Sequence, residues 1–257
     1  MAAPADPLVC RLLEDPPLEG ATNMAIDETL LFSSGETAKP TLRFYSWCRP
    51  TLSLGYFQEH AQRRTHAASG SCVMIRRSTG GGAILHDREL TYSLLWPSEK
   101  LPRGESPSPL MASAWLYKTI HEALIRVLGR SAVQASLAAD ATTDNTDFLC
   151  FKRRSVWDIL IGGVKVLGSA QRRSRGAILQ HGSLILATSK HAPEIAGLAE
   201  VARGVVNAET IASLWAEEIA AGLNVQFKKV SLENREKDLV AEIAAKKYGS
   251  VRWTERR

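Results

Sequence analysis

Two short blocks concentrate the residues that can do chemistry. The first, "RRSTGGGAILHD", sets Gly80, Gly81 and Gly82 between Arg76–Arg77 and His86. Glycine lets backbone N–H groups approach a ligand with no Cβ in the way, and consecutive N–H groups form a concavity for an anion or an oxyanion. A tight turn would use the same residues. No Gly-Lys-Ser/Thr follows, so this is not a phosphate-binding Walker loop, and its spacing is not that of a dinucleotide fingerprint. The second block, "GGVKVLGSAQRR", opens on Gly162-Gly163, a turn pair that predicts a two-residue β-hairpin. Lys165 falls two residues into the return strand, and alternation sets it opposite Val164 and Val166. An ammonium there faces solvent or a cleft; in a cleft it polarises a carbonyl or favours a neighbouring thiolate. Cys150 precedes this hairpin in "DFLCF". A cysteine among Phe and Leu is usually a small buried hydrophobe, and local context alone favours that over a nucleophile. His86 and His181 lack the spacing of a metal-binding pair, and no CxxC occurs among Cys10, Cys48, Cys72 and Cys150, so no metal site is expected.

The elements that must position these groups alternate between strand and helix patterns. "LRFYS", "TLSLG", "CVMIR" and "LTYSLLW" read as strands, and "AILQHGSLIL" as a strand pair or one bent strand. "ATNMAIDETLLFSS" reads as an early helix. "SAWLYKTIHEALIRVLG" repeats Leu116, Ile120, Ala123, Leu124 and Val127 at helical spacing and can end at Gly129. Two further helices are expected over "ETIASLWAEEIAAGL" and "ENREKDLVAEIAAKK". The fold class is α+β, mixed β-sheets with flanking helices. Residues 1–257 read as one catalytic domain: the Pro/Ser-rich loop 101–109 is the best candidate for an internal boundary and 139–147 is a polar loop, but no region is independent enough for a second domain.

The totals narrow the class. The chain has 257 residues, 45% hydrophobic and 23% charged. That length buries about 70% or more of its unfolded surface, so it needs no disulfide or metal to fold. No secretory signal and no membrane-spanning run are evident, and the expected compartment is a reducing cytoplasm. The net charge of +5 suits an acidic partner as well as a nucleic acid. Basic residues interleaved with aromatics, the mark of nucleic-acid binding, are not seen.

Together the two blocks resemble the signatures of the lipoate-protein ligase and octanoyltransferase superfamily, which shares its catalytic fold with biotin-protein ligases. "NMAIDETLL", "RFYSWCRPTLSLGYFQ" and "KKYGSVRWTER" extend the likeness over nearly the whole chain. The resemblance implies that Arg77, Thr79, Gly80, Gly81, Gly82 and His86 surround a bound acyl chain. It implies that Lys165 contacts the carbonyl end, with Ser169 and Gln171 beside it. "LCFKRRSVWDILIGGVKVLGSAQRR" is similar to LipM-type octanoyltransferases, in which a nucleophilic cysteine precedes the hairpin; this makes Cys150 the nucleophile and Lys165 its catalytic partner. The LipM pattern has Pro-Ser and Tyr-Glu where this chain reads "RRSVWD". The accessory C-terminal domain of many ligases is not expected after "VRWTERR".

The implied reaction moves an octanoyl group from acyl carrier protein, through a Cys150 thioester, to a lysine of a lipoyl domain. Such domains belong to the glycine-cleavage H protein and to the E2 subunits of 2-oxoacid dehydrogenases. Exchanging one thioester for another is nearly isoenergetic and amide formation is downhill, so no cofactor is expected. Two alternatives in the same superfamily remain: a lipoate-protein ligase using ATP and Mg²⁺, and an amidotransferase between lipoyl-bearing proteins. A non-catalytic basic binding protein is the alternative from another class.

Overall fold

The computed structural model describes residues 7–101, 109–141, 147–202 and 207–257. Most of the two loops noted above therefore lies outside the described residues. In chain order the strands are β1 (Leu8–Glu14), β2 (Thr41–Tyr45), β3 (Thr51–Leu54), β4 (Val73–Arg76), β5 (Ile84–His86), β6 (Glu89–Pro97), β7 (Ala135–Leu137), β8 (Ile159–Ile161), β9 (Val164–Ser174), β10 (Ala177–Ile185) and β11 (Val225–Lys229). The helices are α1 (Gly20–Thr37), α2 (Pro109–Gly129), α3 (Leu198–Val201), α4 (Ala208–Leu223), α5 (Asn234–Ile243) and α6 (Val251–Thr254). Among the described residues no helix is long and apolar enough to cross a membrane.

Eight strands form one mixed sheet in the order β11-β1-β2-β6-β10-β9-β8-β7, and β4-β3-β5 form a second, small sheet. Alternation along the central strands feeds two cores. On β10, Ile178 and Leu184 join the layer that holds Leu116, Ile120 and Leu124 of α2 and Trp215 of α4. Ala177 and Leu179 of the same strand join Met24, Ile26 and Leu30 of α1 and Val240 of α5 on the other face. A strand covered on both faces has little use for polar residues, and every residue of β10 is buried. Those that are polar, Gln180, His181 and Ser183, each hold a side-chain hydrogen bond.

Local signals set several boundaries. Asn207 caps α4 by accepting the Thr210 N–H at 2.9 Å, and Asn224 ends it in the left-handed conformation at φ 51°. "AILQHGSLIL" is one continuous strand, β10, and the Gly162-Gly163 turn closes the β8–β9 hairpin as the dipeptide predicts. Both turn glycines have positive φ, 55° and 84°. Strands β1 and β11 pair in parallel at the sheet edge and carry weak sequence signals, since two of the five residues of β11 are lysines and three are exposed.

Candidate functional site

The glycine block folds around a guanidinium. Arg77 leaves the end of β4 and buries its side chain completely. Its Nη1 donates to the Ser53 carbonyl (2.9 Å) and hydroxyl (3.1 Å) on β3. Its Nη2 donates to the Gly80 and Gly82 carbonyls at 2.7 and 2.6 Å, drawing the loop into a ring about one cation. Burial pushes this guanidinium down to about 10. The small sheet thus supplies the anchor and the loop supplies the ligands.

Beyond the ring the loop meets the cysteine segment. Ala83 N–H donates to the Phe148 carbonyl (2.9 Å), and Cys150 N–H to the Ala83 carbonyl (2.7 Å). A Cβ on Gly82 would lie 3.0 Å from both the Cα and the N of Cys150. The close approach that demands glycine at this position is therefore to the protein's own Cys150 backbone. Gly81, at φ 90°, points its missing side chain between Arg77 Nη2 (3.1 Å) and Cys150 Sγ (3.9 Å).

The hairpin delivers the lysine from the other side. A bulge places Lys165 opposite Leu160 and Leu167 opposite Ile159, so β9 carries one extra residue there. Lys165 and Val166 still alternate, the lysine to the cavity and the valine to the core, and the pattern breaks only after them, where Val166 and Leu167 both enter the core; Val164 is exposed at the tip. Lys165 Nζ lies 2.7 Å from Asp158 Oδ2, 3.2 Å from the Arg153 carbonyl, 3.3 Å from the Cys150 carbonyl and 3.8 Å from Cys150 Sγ. An ammonium has three protons, and the three oxygens are nearer than the sulfur. Asp158 also accepts from the Ser155 N–H at 2.7 Å. Burial raises the Asp158 carboxyl, and Lys165 opposes that rise. A Cβ at Gly168 would fall 2.6 Å from Lys165 Cε, so the glycine of "GSAQ" makes room for the lysine stem.

Glycine loop, Cys150, Lys165 and Ser169 line one cavity, about 570 Å³ when the open space at its mouth is included. Its inner wall includes Met24, Tyr45, Trp47 and Ile84. His86 also lines it, stacked on Trp47 at 3.8 Å between ring centroids. The His86 imidazole accepts from the Ser53 hydroxyl (2.7 Å) and donates through Nδ1 to Glu89 (2.6 Å). Burial lowers its proton affinity. Ser169 Oγ lies 2.7 Å from His121 Nε2 and 2.8 Å from the Tyr92 hydroxyl. Thr79 is turned to His181 (2.7 Å), and Gln171 donates to Gln180 (2.6 Å) away from the cavity lining.

Beneath the cavity lies a polar cluster that sequence reasoning did not single out. Arg43 on β2 donates to Asp15 (2.6 Å), Asp27 (2.8 Å) and Asn23 Oδ1 (2.8 Å). Asp27 accepts also from Tyr45, Ser93 and His181. Burial alone would raise the Asp27 carboxyl, but His181 and Arg43 outweigh it and hold it below the usual range. Asp158 was missed as well. The available signal was a carboxylate beside a hairpin whose return strand carries a lysine.

A model of the lipoyl protein ligase A/B catalytic domain matches residues 19–242, and the chain belongs to that family. Within it, the chain is 33% identical over 274 residues to the octanoyltransferase LipM of Moorella thermoacetica, covering 96% of this chain and 98% of that one. It is 31% identical over 268 residues to the octanoyltransferase LipM of Bacillus subtilis, covering 92% and 94%. Among solved structures, the bipartite lipoate protein ligase of Thermoplasma acidophilum, described with its E2 lipoyl domain, has the same fold. It superposes with a TM-score of 0.74 at 20% identity over 96% of both chains.

Proposed function

We propose that this protein is an octanoyltransferase of protein lipoylation, with Cys150 as the residue that carries the acyl group. The observation that supports it is the meeting of Cys150 Sγ, the Gly81 backbone and Lys165 at the mouth of one partly apolar cavity. Relatives with the octanoyltransferase name match nearly end to end.

In the first half-reaction the Cys150 thiolate attacks the thioester carbonyl of octanoyl-acyl carrier protein. The new C–S bond forms, the donor C–S bond breaks, and the carrier leaves as a thiol after taking a proton. In the second half-reaction a lipoyl-domain lysine, as the free amine, attacks the Cys150 thioester. The amide forms, Cys150 leaves as thiolate, and the amine loses one proton. Each half-reaction passes through a tetrahedral oxyanion. Backbone N–H groups of the glycine loop suit that charge, and one such donor lowers the barrier by about 3–4 kcal/mol. Lys165, aimed by Asp158 and two carbonyls, faces both sulfur and carbonyl. The exchange consumes no ATP, because the acyl group enters already activated as a thioester. Arg153 and Arg154, which line a depression together with Lys165, suit acidic protein partners.

Intact-mass measurement after mixing with octanoyl-acyl carrier protein tests this reading. One octanoyl adduct is expected, on Cys150, removable by hydroxylamine and absent from Cys150→Ser. An adduct that forms only with free octanoate or lipoate plus ATP would sink it.

A further inference from the structure

The cationic surface of this protein is uneven in its pairing. Arg11 is held by Glu236, Arg49 by Glu19, and Arg126 and Arg130 by Glu218. Arg172, Arg256 and Arg257 have no carboxylate within ion-pair distance among the described residues, and each lies over an aromatic ring instead. Arg256 sits 4.3 Å from the Tyr56 ring and 4.7 Å from that of Trp253; Arg257 sits 5.5 Å from Phe57, and Arg172 5.8 Å from Tyr56. The neighbouring Glu255 is turned to His60 at 3.7 Å.

This face is held in place from below. Buried Arg76 donates to the Thr254 carbonyl (3.0 Å) and to the Gly55 and Gln58 carbonyls (2.9 and 2.6 Å), while Trp253 Nε1 donates to the Arg76 carbonyl (2.8 Å). His60 N–H donates to the Arg257 carbonyl at 2.7 Å. The helix α6 segment and the loop at 55–60 therefore present one fixed surface. At its centre Phe57 is 68% exposed, the only aromatic among the exposed large apolar side chains described. Its ring passes within 3.8 Å of the point where a Gly80 Cβ would sit, so the surface runs directly into the glycine loop and the cavity mouth.

We propose that the face formed by Phe57, Arg172, Arg256 and Arg257 is the docking surface for the acidic acceptor domain, the one whose lysine receives the acyl group. The inference rests on the acyl-transfer reading above. Arginine and exposed aromatic side chains are the groups most enriched where proteins bind each other. Unpaired guanidinium groups favour an acidic partner, and salt-sensitive encounter follows. The choice of acceptor over donor comes from reach. A lysine amine stands on only a four-carbon stem, so the body that bears it must seat against the mouth itself. A thioester on a carrier's long prosthetic arm can arrive from a body docked farther away.

The experiment separates the two half-reactions. Cys150 is first loaded from octanoyl-coenzyme A, a small thioester that needs no protein docking, and is then discharged onto a lipoyl domain in single turnovers. The double variant R256E/R257E should load within about twofold of wild type, and its acceptor concentration for half-maximal discharge should rise about tenfold or more. The discharge rate at saturating acceptor should be unchanged. Phe57→Ser should move the same quantity in the same direction. An unchanged acceptor dependence, or a defect confined to loading from octanoyl-acyl carrier protein, would overturn the assignment. If wild type takes no acyl group at all, the acyl-enzyme reading fails. The surface is then still read by calorimetric binding of the lipoyl domain to Cys150→Ser, with and without R256E/R257E: lost affinity supports it and equal affinity overturns it.

Discussion

Two buried arginines, Arg77 in the cavity wall and Arg43 in the cluster with Asp27, Tyr45 and His181, are satisfied in opposite ways. Arg43 meets two carboxylates, Asp15 and Asp27, and joins β2 to α1 and to the end of β1. Arg77 meets only oxygens without formal charge, two of them carbonyls of the glycine loop. Burial tells on the second: Arg77 is pushed down to about 10, whereas Arg43 is raised, its burial outweighed by Asp27, Tyr45 and Asp15. A paired charge of the first kind locks elements together. A charge held by a loop's carbonyls shapes that loop and leaves positive potential at the mouth. Under the proposed function the difference is a division of labour: the cluster under the cavity keeps the walls in register, and the groups at the mouth do the chemistry.

The sharpest way to break that division is to cut each side once. Cys150→Ser should lower transfer by about a thousandfold or more, since a serine hydroxyl is hardly ionised at neutral pH, with an unchanged unfolding midpoint. Asp27→Ala should do the reverse in kind. It strands Arg43 and His181 in the interior, and removing one partner of a buried pair costs about 3 kcal/mol or more. Urea unfolding of both variants beside a single-turnover assay checks the contrast. A Cys150→Ser protein as unstable as Asp27→Ala would show that the cysteine is packing.

Asp158 tests whether the mouth is one unit. Its carboxylate is the nearest of the oxygens around Lys165 Nζ, so Asp158→Asn should let the ammonium drift from sulfur and carbonyl. A rate loss of roughly a hundredfold is expected, the low end for a positioned proton-handling group, with little change in acceptor dependence. Turnover equal to wild type would leave Lys165 with no need of its partner.

Much of this arrangement was legible in the residues, and the failures have physical causes. The hairpin was readable because Gly162-Gly163 is a turn signal with a mechanism, and α2 because its apolar residues recur at helical spacing. The junction of Cys150, Gly81 and Lys165 came from the family resemblance and from two local blocks, each rich in glycine. What the sequence could not give was which distant polar groups meet. Asp27, Arg43 and His181 are separated by up to 154 positions yet bonded in one cluster. Their meeting depends on the order of strands in the sheet, which no local pattern encodes. Lys165 follows its local pattern: period-two alternation sets it opposite Val166, and the lysine lines the cleft while Val166 is in the core, the bulge in β9 disturbing the count only beyond it.

The smallest expected effect concerns His121, which belongs to the framework although it touches the mouth. Its Nδ1 is 2.6 Å from the Trp157 carbonyl and must donate, so Nε2 accepts from the Ser169 hydroxyl at 2.7 Å. Both bonds suit the neutral ring, and burial pushes its protonation down to about 4. In the unfolded chain an ordinary histidine protonates near 6.5. Between those values the unfolded state binds a proton that the folded state refuses, so stability must rise with pH there. Above about 6.5 the contribution is fully present, and it is lost as pH falls toward about 4. The size is about 2 kcal/mol, less than the shift alone implies once local relaxation is allowed. His121→Gln keeps a donor and an acceptor but cannot titrate. Urea unfolding at pH 7 and pH 4.5 should therefore show a larger acid loss in wild type than in the variant. Equal losses would mean that the Ser169–His121–Trp157 chain opens on protonation at no cost, and that the hairpin is held to α2 by packing alone.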